Sequence, residues 1–442
     1  YPERKIDKIK DKINKERGRW KNGVWMSIAI WLTTLPLVAF YYYEIPLYSV
    51  ALNLIVLPLL SVVFILGLFG SLIGLSAKYL SFCCLKPTAL ILRVYSRLCE
   101  AIGNLPGANL IVGKPSYQRM VIYYLTLGMV LGLISYLRWR NEWKRERMNQ
   151  AANHEDDSEG QRRIETIISA IKMIACPVLL GILLIQGSVG NEIDFLDVGQ
   201  GDCTIVQTEG HNMLIDAGNN DQGESVVSYL LKNGIDTLDY LILTHPDADH
   251  IGGADDVLEN IDVQMVLMPD VANDTITYLE VIDDIKEFNI QIVYPRVGEI
   301  FTLGDAEFTV LCPDEELVDQ SDLNSSSVGI KLNHGINSFV MCGDAEEKSE
   351  ETMAKHFGSE LECDVLKCGH HGSSTATSDE FLKATDPTWA VISCGVDNQY
   401  GHPHWETIEK LENDDVQIYR TDQMGTIIAI SDGENVNWVK GN

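Results

Sequence analysis

Two histidines and two aspartates lie within six consecutive positions of the segment 241–253, which reads LILTHPDADHIGG. The four side chains are those of His245, Asp247, Asp249 and His250. The apolar run before them predicts a strand, and the Gly-Gly pair after them predicts a turn into a helix. Imidazole nitrogens and carboxylate oxygens together suit Zn²⁺, Mn²⁺ or Fe. The spacing therefore predicts a metal site at a strand end rather than an ordinary polar loop.

Four more polar clusters follow predicted strands in the second half of the chain. They are Asp216-Ala-Gly218, Gly343-Asp344, His370-His371-Gly-Ser-Ser and Tyr400-Gly-His402-Pro-His404. Together with the first segment they hold six of the ten histidines of the chain. If these strand ends meet at one edge, they supply enough imidazole and carboxylate for two metal ions, a common arrangement for cleaving phosphoesters.

The elements that must position these clusters are short strands and amphipathic helices in residues 191–442. The strands come in two series, each with its own helices, which predicts two sheets packed face to face with helices outside, an αββα sandwich. The ten cysteines show no CxxC spacing, so we expect most of them to be small buried residues rather than zinc ligands.

Residues 1–190 are a different kind of polypeptide. They hold 23 Lys and Arg against 13 Asp and Glu, whereas residues 191–442 hold 11 against 50, which leaves net charges of +10 and −39. The basic stretch 1–24 predicts a cytoplasmic segment, and because residue 1 is Tyr we expect a fragment or a processed chain. The apolar stretches predict membrane-spanning helices. They are 24–43, 46–76 (one span and part of a second), 120–137 and 165–185.

Segment 88–103 has apolar residues on one helical face and predicts an amphipathic helix rather than a span. The basic residues after 137 and before 165 indicate the cytoplasmic side of the last two spans. Residues 191–442 would then lie outside the cell, next to a multi-pass plasma-membrane segment formed by residues 1–190.

Several motifs resemble those of a known family. The second half carries FLDVGQGDCTIV, LIDAG, LTHPDADHIGG, MCGDAEE and LKCGHHGSS, which resemble the metallo-β-lactamase fold. In this order they are similar to the extracellular domain of ComEC-type competence channels. The segment WLTTLPLVAFYYYEIPLYSVALNLIVLPLLS resembles the closing membrane part of that family. The resemblance implies an α-helical membrane segment followed by a metallo-β-lactamase-type sandwich.

The resemblance also assigns metal ligands. His245, Asp249 and His250 match the family's metal-binding loop, and Asp247 stands where a second His is usual, a change that favours Mn²⁺ over Zn²⁺. Asp344 matches the carboxylate that bridges two divalent ions. His370 matches the late His ligand, although His371 would serve equally in that role.

The remaining assignments are supporting ones. Asp216 matches the Asp that buttresses the metal loop. Asn324 stands in a stretch that replaces another ligand His. His402 and His404 match late histidines that bind a phosphate or protonate a leaving oxygen, and Asp249 joins them as a catalytic candidate. Asp202 is expected to form a hydrogen bond within a Gly turn, and a position near the metal site is the alternative.

We expect Lys367 to be solvated, with contact to a phosphate as the alternative, and His211, His334 and His356 to lie at the surface. The resemblance implies a channel that takes up single-stranded DNA while an external nuclease degrades the other strand. DNA-receptor and translocation-motor proteins would be its partners, and homo-oligomers would be compatible with it. Two alternatives remain open: a membrane-anchored hydrolase of a small molecule, and a channel with a catalytically silent outer domain. The net charge of −39 on residues 191–442 argues against ordinary DNA binding, which depends on Lys and Arg.

Overall fold

The computed structural model of the chain describes residues 23–150, 158–185, 191–318 and 321–441. The predicted basic segment before residue 23 lies outside the described residues. The described residues form two compact units. The first runs to residue 185 and includes Lys232–Gly234, and the second comprises 191–231 and 235–441. The predicted boundary at residue 190 stays a prediction.

The first unit consists of long helices and one small antiparallel pair of strands. The helices are α1 Gly23–Tyr42, α2 Ser49–Gly74, α3 Lys78–Gly103, α4 Tyr117–Gln150 and α5 Ser158–Leu184, and the strands are β1 Glu44–Pro46 and β2 Asn109–Ile111. Four helices of the described part, α1, α2, α4 and α5, are long and apolar enough to cross a membrane. Helix α3 contains the segment predicted to be amphipathic.

The prediction of a second, partial span within residues 46–76 is wrong. Helix α2 continues without interruption for 26 residues and accommodates Pro58 in its interior. At 1.5 Å per residue it is about 39 Å long, more than the hydrocarbon thickness of about 30 Å, so one tilted helix accounts for the whole apolar stretch. Gly70 permits the close approach of α3, because a Cβ there would lie 2.8 Å from the side chain of Leu85.

The second unit alternates short strands and helices. The strands are β3 Asn191–Phe195, β4 Thr204–Thr208, β5 His211–Ile215, β6 Thr237–Leu238, β7 Tyr240–Ile242, β8 Asp262–Val263, β9 Met265–Leu267, β10 Gln291–Val293, β11 Ile300–Leu303, β12 Ala306–Cys312, β13 Gly329–His334, β14 Asn337–Met341, β15 Val365–Lys367, β16 Trp389–Ile392, β17 Gln417–Arg420, β18 Ile427–Ser431 and β19 Val436–Lys440. The helices are α6 Gly223–Lys232, α7 Ala248–Ile251, α8 Ala254–Asn260, α9 Ile276–Glu287, α10 Glu347–Phe357, α11 Asp379–Thr385, α12 Trp405–Asn413 and α13 Thr421–Met424, with 3-10 turns at Asn324–Ser326, Gly358–Leu361 and Gly369–Gly372.

These strands build two large sheets. The first has the order β10-β9-β7-β5-β4-β3-β18-β19, and the second has the order β11-β12-β13-β14-β15-β16-β17. Strands β5, β7, β9 and β10 run parallel in the first sheet, as do β14, β15, β16 and β17 in the second. The loops after parallel strands emerge at one edge of each sheet, which is where the polar clusters of the sequence lie.

Three apolar layers hold the second unit together. Phe195 of the first sheet and Phe308 and Phe339 of the second are fully buried in one cluster between the sheets. A second cluster joins the outer face of the first sheet to α6, α8 and α9, and a third joins the second sheet to α10, α11 and α12. The layers are helix, sheet, sheet and helix, as the strand pattern predicted.

Six cysteines of the second unit are buried, which confirms the interpretation of these residues as core side chains. They are Cys203, Cys312, Cys342, Cys363, Cys368 and Cys394. Burial raises the thiol pKa of Cys363, Cys368 and Cys394 to about 12. A thiol that stays protonated at neutral pH is a poor metal ligand and a poor nucleophile.

Candidate metal centre

Loops that follow β5, β7, β14 and β15 bring the predicted clusters together at one edge of the sandwich. Four overlapping groups of side chains place one ligand atom each within 4.8 Å of the others. The groups are His245, His250 and Asp344; Asp249, His250 and His371; Asp202, Asp216 and His250; and Asp202, Asp344 and His371. The convergence of loops that are distant in sequence is what a site for two metal ions requires.

Asp216 holds the centre from behind. Its carboxylate accepts hydrogen bonds from the backbone N–H of Thr244 at 2.8 Å and from the Thr244 hydroxyl at 2.7 Å. It also lies 2.8 Å from Nδ1 of His250. This contact fixes the His250 ring so that its Nε2 faces Asp344 Oδ1 at 3.2 Å. Asp216 therefore has the position of a supporting carboxylate behind the ligands.

Three imidazoles share one arrangement of their two nitrogens. Nδ1 of His250 contacts Asp216, Nδ1 of His371 lies 3.0 Å from the Ser393 carbonyl, and Nδ1 of His245 lies 3.2 Å from the Thr244 hydroxyl. The Nε2 atom of each ring is buried and forms no hydrogen bond among the described residues, and the same is true of Asp344 Oδ1. The 3.2 Å contact between His250 Nε2 and Asp344 Oδ1 lacks the geometry of a hydrogen bond.

Leaving buried polar atoms without partners costs free energy, so four of them facing one space fit the binding of a cation. An Nδ1–H that donates to a carbonyl or carboxylate leaves the Nε2 lone pair for a metal ion. The residues present therefore fit a divalent metal ion.

The two adjacent late histidines differ in position. His371 is 1% exposed, and its Nε2 lies 3.3 Å from Asp249 Oδ2 and 3.6 Å from Asp344 Oδ2. His370 is 24% exposed, and its Nε2 lies 3.7 Å from Asp344 Oδ2. Both have positive φ, 47° and 54°, a rare backbone conformation for residues other than Gly and one that clusters at functional sites.

Sequence reasoning missed Glu346. Its Oε1 lies 3.0 Å from Nδ1 of His370 and accepts a hydrogen bond from the Thr375 hydroxyl at 2.9 Å. The side-chain amide of Asn324 donates to the same oxygen at 3.5 Å, so Asn324 reaches the rim of the centre through Glu346. The signal in the sequence was weak, since Glu346 stands two residues after Asp344 in an acidic run. Asp247 is 42% exposed, with Oδ2 3.6 Å from Nε2 of His245.

The expectation that Lys367 is solvated is wrong. Its side chain is 4% exposed, and its ammonium forms a close ion pair with Asp202 Oδ2, whose side chain is 3% exposed. The other oxygen of Asp202 lies 3.3 Å from Nδ1 of His371. Lys367 is the last residue of β15 and lies beside the carboxylates of the centre. It can be buried because its charge and that of Asp202 compensate one another. His334 is also not a free surface residue, because it contacts Ser431 at 2.8 Å and Asp305 at 3.2 Å.

The buried charges shift one another's pKa values. Burial would raise the pKa of Asp202, but Lys367 and His371 outweigh it and hold that pKa below its usual value. Burial would lower the pKa of His371, but Asp344 and Asp202 raise it to about 10. The same balance, with Asp344 and Asp216, raises the pKa of His250. The carboxylates thus create a strongly negative potential at the Nε2 atoms, which attracts cations.

His402 and His404 lie beside the centre in a different environment. The ring centroid of His402 is 6.1 Å from that of His371 and 5.4 Å from that of His370. Burial, together with these two neighbours, lowers the pKa of His402 to about 4, so its ring is neutral at pH 7. His404 Nδ1 accepts a hydrogen bond from the backbone N–H of Ser374 at 2.9 Å, which fastens its loop to the one that carries His371.

Comparisons with known proteins agree with this geometry. The model of the metallo-beta-lactamase superfamily matches residues 196–396, and the competence protein model matches residues 6–137. The chain thus has a region similar to competence proteins followed by a region similar to metallo-beta-lactamases. This combination confirms the predicted resemblance to ComEC-type proteins. It also confirms a metallo-β-lactamase fold in the C-terminal region, with several apolar helices before it, and such a fold implies divalent metal ions.

Two curated proteins are similar to parts of the chain. The chain is 27% identical over 426 residues to ComE operon protein 3 of Bacillus subtilis, covering 91% of this chain and 51% of that protein. It is 34% identical over 225 residues to Recombination protein 2 of Haemophilus influenzae, covering 50% of this chain and 26% of that protein. The chain thus spans about half the length of the first relative and less of the second. Among solved structures, CmlA, a diiron beta-hydroxylase from Streptomyces venezuelae, aligns with a TM-score of 0.37 and 14% identity over 55% of each chain.

Proposed function

We propose that this chain is part of the membrane channel that takes up transforming DNA, and that its metallo-beta-lactamase domain is a metal-dependent nuclease. Similarity to competence proteins supports a role in DNA uptake at a membrane. On this proposal α1, α2, α4 and α5 cross the plasma membrane, residues 191–442 lie outside the cell, and one strand enters while the domain hydrolyses the other. A DNA receptor and a translocation motor would be partners, and the chain would be able to form homo-oligomers.

One observation carries the nuclease proposal. The unpartnered Nε2 atoms of His245, His250 and His371 face the unpartnered oxygen of Asp344, while the Nδ1 atom of each ring has a partner. Asp249 adds a carboxylate to the same space. This donor set would hold two divalent ions, with Mn²⁺ favoured over Zn²⁺ because carboxylates contribute so much of it. His370 and Asp247, at the rim, would complete the set.

Bound divalent ions would supply Lewis acidity toward a phosphodiester oxygen and would acidify a water molecule. The residues of the chain would orient the ligands and handle protons. Asp216 holds the His250 ring, and Glu346 holds the His370 ring. His402 is neutral at pH 7, and its Nδ1 is buried without a hydrogen-bond partner among the described residues, so this ring is able to accept a hydrogen bond. Asp249 would act with His402 and His404 in the reaction.

The proposal is tested on the full chain, purified in detergent and stripped of metal. Added Mn²⁺ is expected to start digestion of linear DNA. Asp344→Asn is expected to lower the rate at least about 100-fold, because the carboxylate that belongs to two of the ligand groups is lost. The matched control is His356→Ala, an exposed His on α10 away from the cluster, which is expected to keep the wild-type rate.

Three outcomes would overturn the proposal. DNA that stays intact with every divalent ion, together with a chain that binds no metal, would favour a silent outer domain. Cleavage of a lactam or a small phosphoester but not of DNA would favour a small-molecule hydrolase. Digestion by Asp344→Asn at the wild-type rate would place the reaction elsewhere in the chain.

A further inference from the structure

The proposed nuclease domain has few cations to offer a DNA backbone. Residues 191–442 carry 11 Lys and Arg against 50 Asp and Glu. Several of these cations are engaged within the fold: Lys367 with Asp202, Arg420 with Asp422, and Lys331 with the carbonyls of Glu360 and Glu362. Lys and Arg supply most non-specific affinity for DNA in ordinary binding proteins. Nucleic acid that reaches this centre therefore needs a different source of affinity.

The loop between β16 and α12 offers apolar and aromatic surface next to the metal centre. Val396 is 68% exposed, Tyr400 is 56% exposed, and Trp405, the first residue of α12, is 66% exposed. Three large and exposed side chains thus lie within ten residues of one another in the sequence, on the loop and the first residue of the helix that follows it.

Hydrogen bonds hold this loop in one shape. Asn398 lies at its middle, and its side-chain amide donates to the carbonyls of Gly395 at 2.9 Å and of His402 at 2.6 Å. The side-chain oxygen of Asn398 accepts from the backbone N–H of His402 at 2.9 Å. The backbone N–H of His404 donates to the Gly372 carbonyl at 3.0 Å, which ties the loop to the turn that carries His371. Tyr400 is thus presented on a rigid support.

Ring contacts connect Tyr400 to the centre. The Tyr400 ring is nearly parallel to the His402 ring, with centroids 5.7 Å apart and planes at 23°. The His402 ring is 6.1 Å from the His371 ring at 31°, and the His371 ring is 5.3 Å from the His250 ring. Tyr400 is therefore two ring-to-ring steps from a candidate ligand, and more than half of its surface remains open.

We propose that Tyr400 is a stacking platform for a nucleobase of single-stranded DNA, close to the nucleotide whose phosphate reaches the metal centre. Base–aromatic stacking tolerates any base and needs no Lys or Arg, which suits a domain that degrades DNA of any sequence. His402 backs the platform on its inner side. The inference rests on the proposed nuclease function, because it names how that site holds its substrate.

The test measures binding of a short fluorescent oligothymidylate to the full chain in detergent, with Ca²⁺ in place of Mn²⁺ to slow cleavage. Tyr400→Ala is expected to weaken binding about tenfold, and Tyr400→Phe, which keeps the ring, to change it less than about twofold. An abasic oligonucleotide of equal length and charge is expected to bind more weakly to the wild type and to be insensitive to Tyr400→Ala. The matched control is Phe288→Ala. Phe288 is an aromatic residue that is 46% exposed, follows α9 and lines a surface pocket with residues of α8 and β8, away from the catalytic loops.

Salt dependence gives a second readout. Because few phosphates would be neutralised by Lys or Arg, raising the salt concentration fourfold is expected to weaken binding by less than about tenfold, rather than by the ~1,000-fold or more of a basic binding protein. Equal affinity of the abasic and base-containing oligonucleotides, or wild-type binding by Tyr400→Ala, would overturn the platform.

The outcomes separate the two proposals. A chain that digests DNA with Mn²⁺ while Tyr400→Ala binds oligothymidylate like the wild type refutes the platform and leaves the nuclease function standing. A chain that digests no DNA, but whose oligothymidylate binding falls in Tyr400→Ala and persists in Tyr400→Phe, refutes the hydrolytic role and supports the platform as a DNA-binding surface.

Discussion

Replacing Lys367 by Met tests the electrostatics of the centre most directly. Lys367 and Asp202 are 4% and 3% exposed and pair with one another. Removing one partner of a buried pair costs about 3–5 kcal/mol, because a charge is left without compensation in the interior. Met has nearly the same length and volume as Lys, so the change leaves no large cavity and the loss reports the charge itself.

The magnitude translates into a large thermal shift. For a domain of this size each kcal/mol lowers Tm by about 2–4 °C, so Lys367→Met is expected to lower the unfolding temperature by about 6–20 °C. The double variant Lys367→Met/Asp202→Asn is expected to recover most of that loss, because the carboxylate that lost its partner becomes neutral as well. Thermal unfolding of the full chain in detergent, followed by tryptophan fluorescence and near-ultraviolet circular dichroism, measures both values.

The effect of Mn²⁺ on Tm provides a second test of Lys367→Met. Asp202 has a ligand atom within 4.8 Å of those of Asp344 and His371, so losing the Lys367 ammonium adds one net negative charge to the space where a cation would bind. Mn²⁺ is therefore expected to raise the Tm of Lys367→Met by more than it raises that of the wild type. A double variant no more stable than the single one, or a shift of Lys367→Met below about 2 °C, would refute the reasoning.

Three further predictions concern the second unit. His371→Ala is expected to weaken Mn²⁺ binding by more than about 100-fold in calorimetry, and His370→Ala by about 10-fold to 100-fold, because His371 is the more buried and central ring. Glu350→Gln is expected to lower the unfolding free energy by about 1–3 kcal/mol, because both Glu350 oxygens accept backbone N–H groups at 2.7 Å and a Gln amide can accept only one. Hydrogen bonds, led by that from Thr208, lower the pKa of Asp305. The contribution of Asp305 to stability is therefore present above about pH 4 and is lost as pH falls through its depressed native pKa. Asp305→Asn is expected to make Tm depend less on pH in this acid range.

Each of these three predictions has a control or a result that would contradict it. Mn²⁺ binding by His356→Ala is expected to equal that of the wild type, and a larger loss in His370→Ala than in His371→Ala would reverse the ligand assignment. For Glu350, wild-type stability of the Gln variant at pH 7 would show that the two backbone donors have other partners. An acid limb of Asp305→Asn identical to that of the wild type would contradict the role of that carboxylate.

The sequence predicted the architecture well because the pattern of apolar residues and the turn residues at the ends of elements are local signals. Strand and helix positions of the second unit followed from apolar runs that end in Gly, Asp or His, and the two sheets followed from the two series of strands. The error in α2 has a physical cause. Pro58 and the great length of the apolar stretch resembled a break, but a proline inside a membrane helix is tolerated when neighbouring groups satisfy the freed backbone.

The metal-centre residues were predictable as a group, while their individual places were not. Spacing alone brings His245, Asp249 and His250 to one strand end, yet it does not distinguish His370 from His371, because the choice depends on two positive φ angles in the turn. Lys367 was misinterpreted for a similar reason. Its burial depends on Asp202, which is 165 positions away in the sequence. Compensating charges of this kind become visible only once the sheets are packed.

The buried thiols of the second unit have a practical consequence. Cys203 and Cys368 are 0% exposed, and burial raises the pKa of both. An alkylating reagent labels such a thiol when the surrounding core opens and exposes it to solvent. Mass spectrometry of the order in which these thiols are labelled would therefore show the order in which the core layers around them open, and no probe has to be introduced.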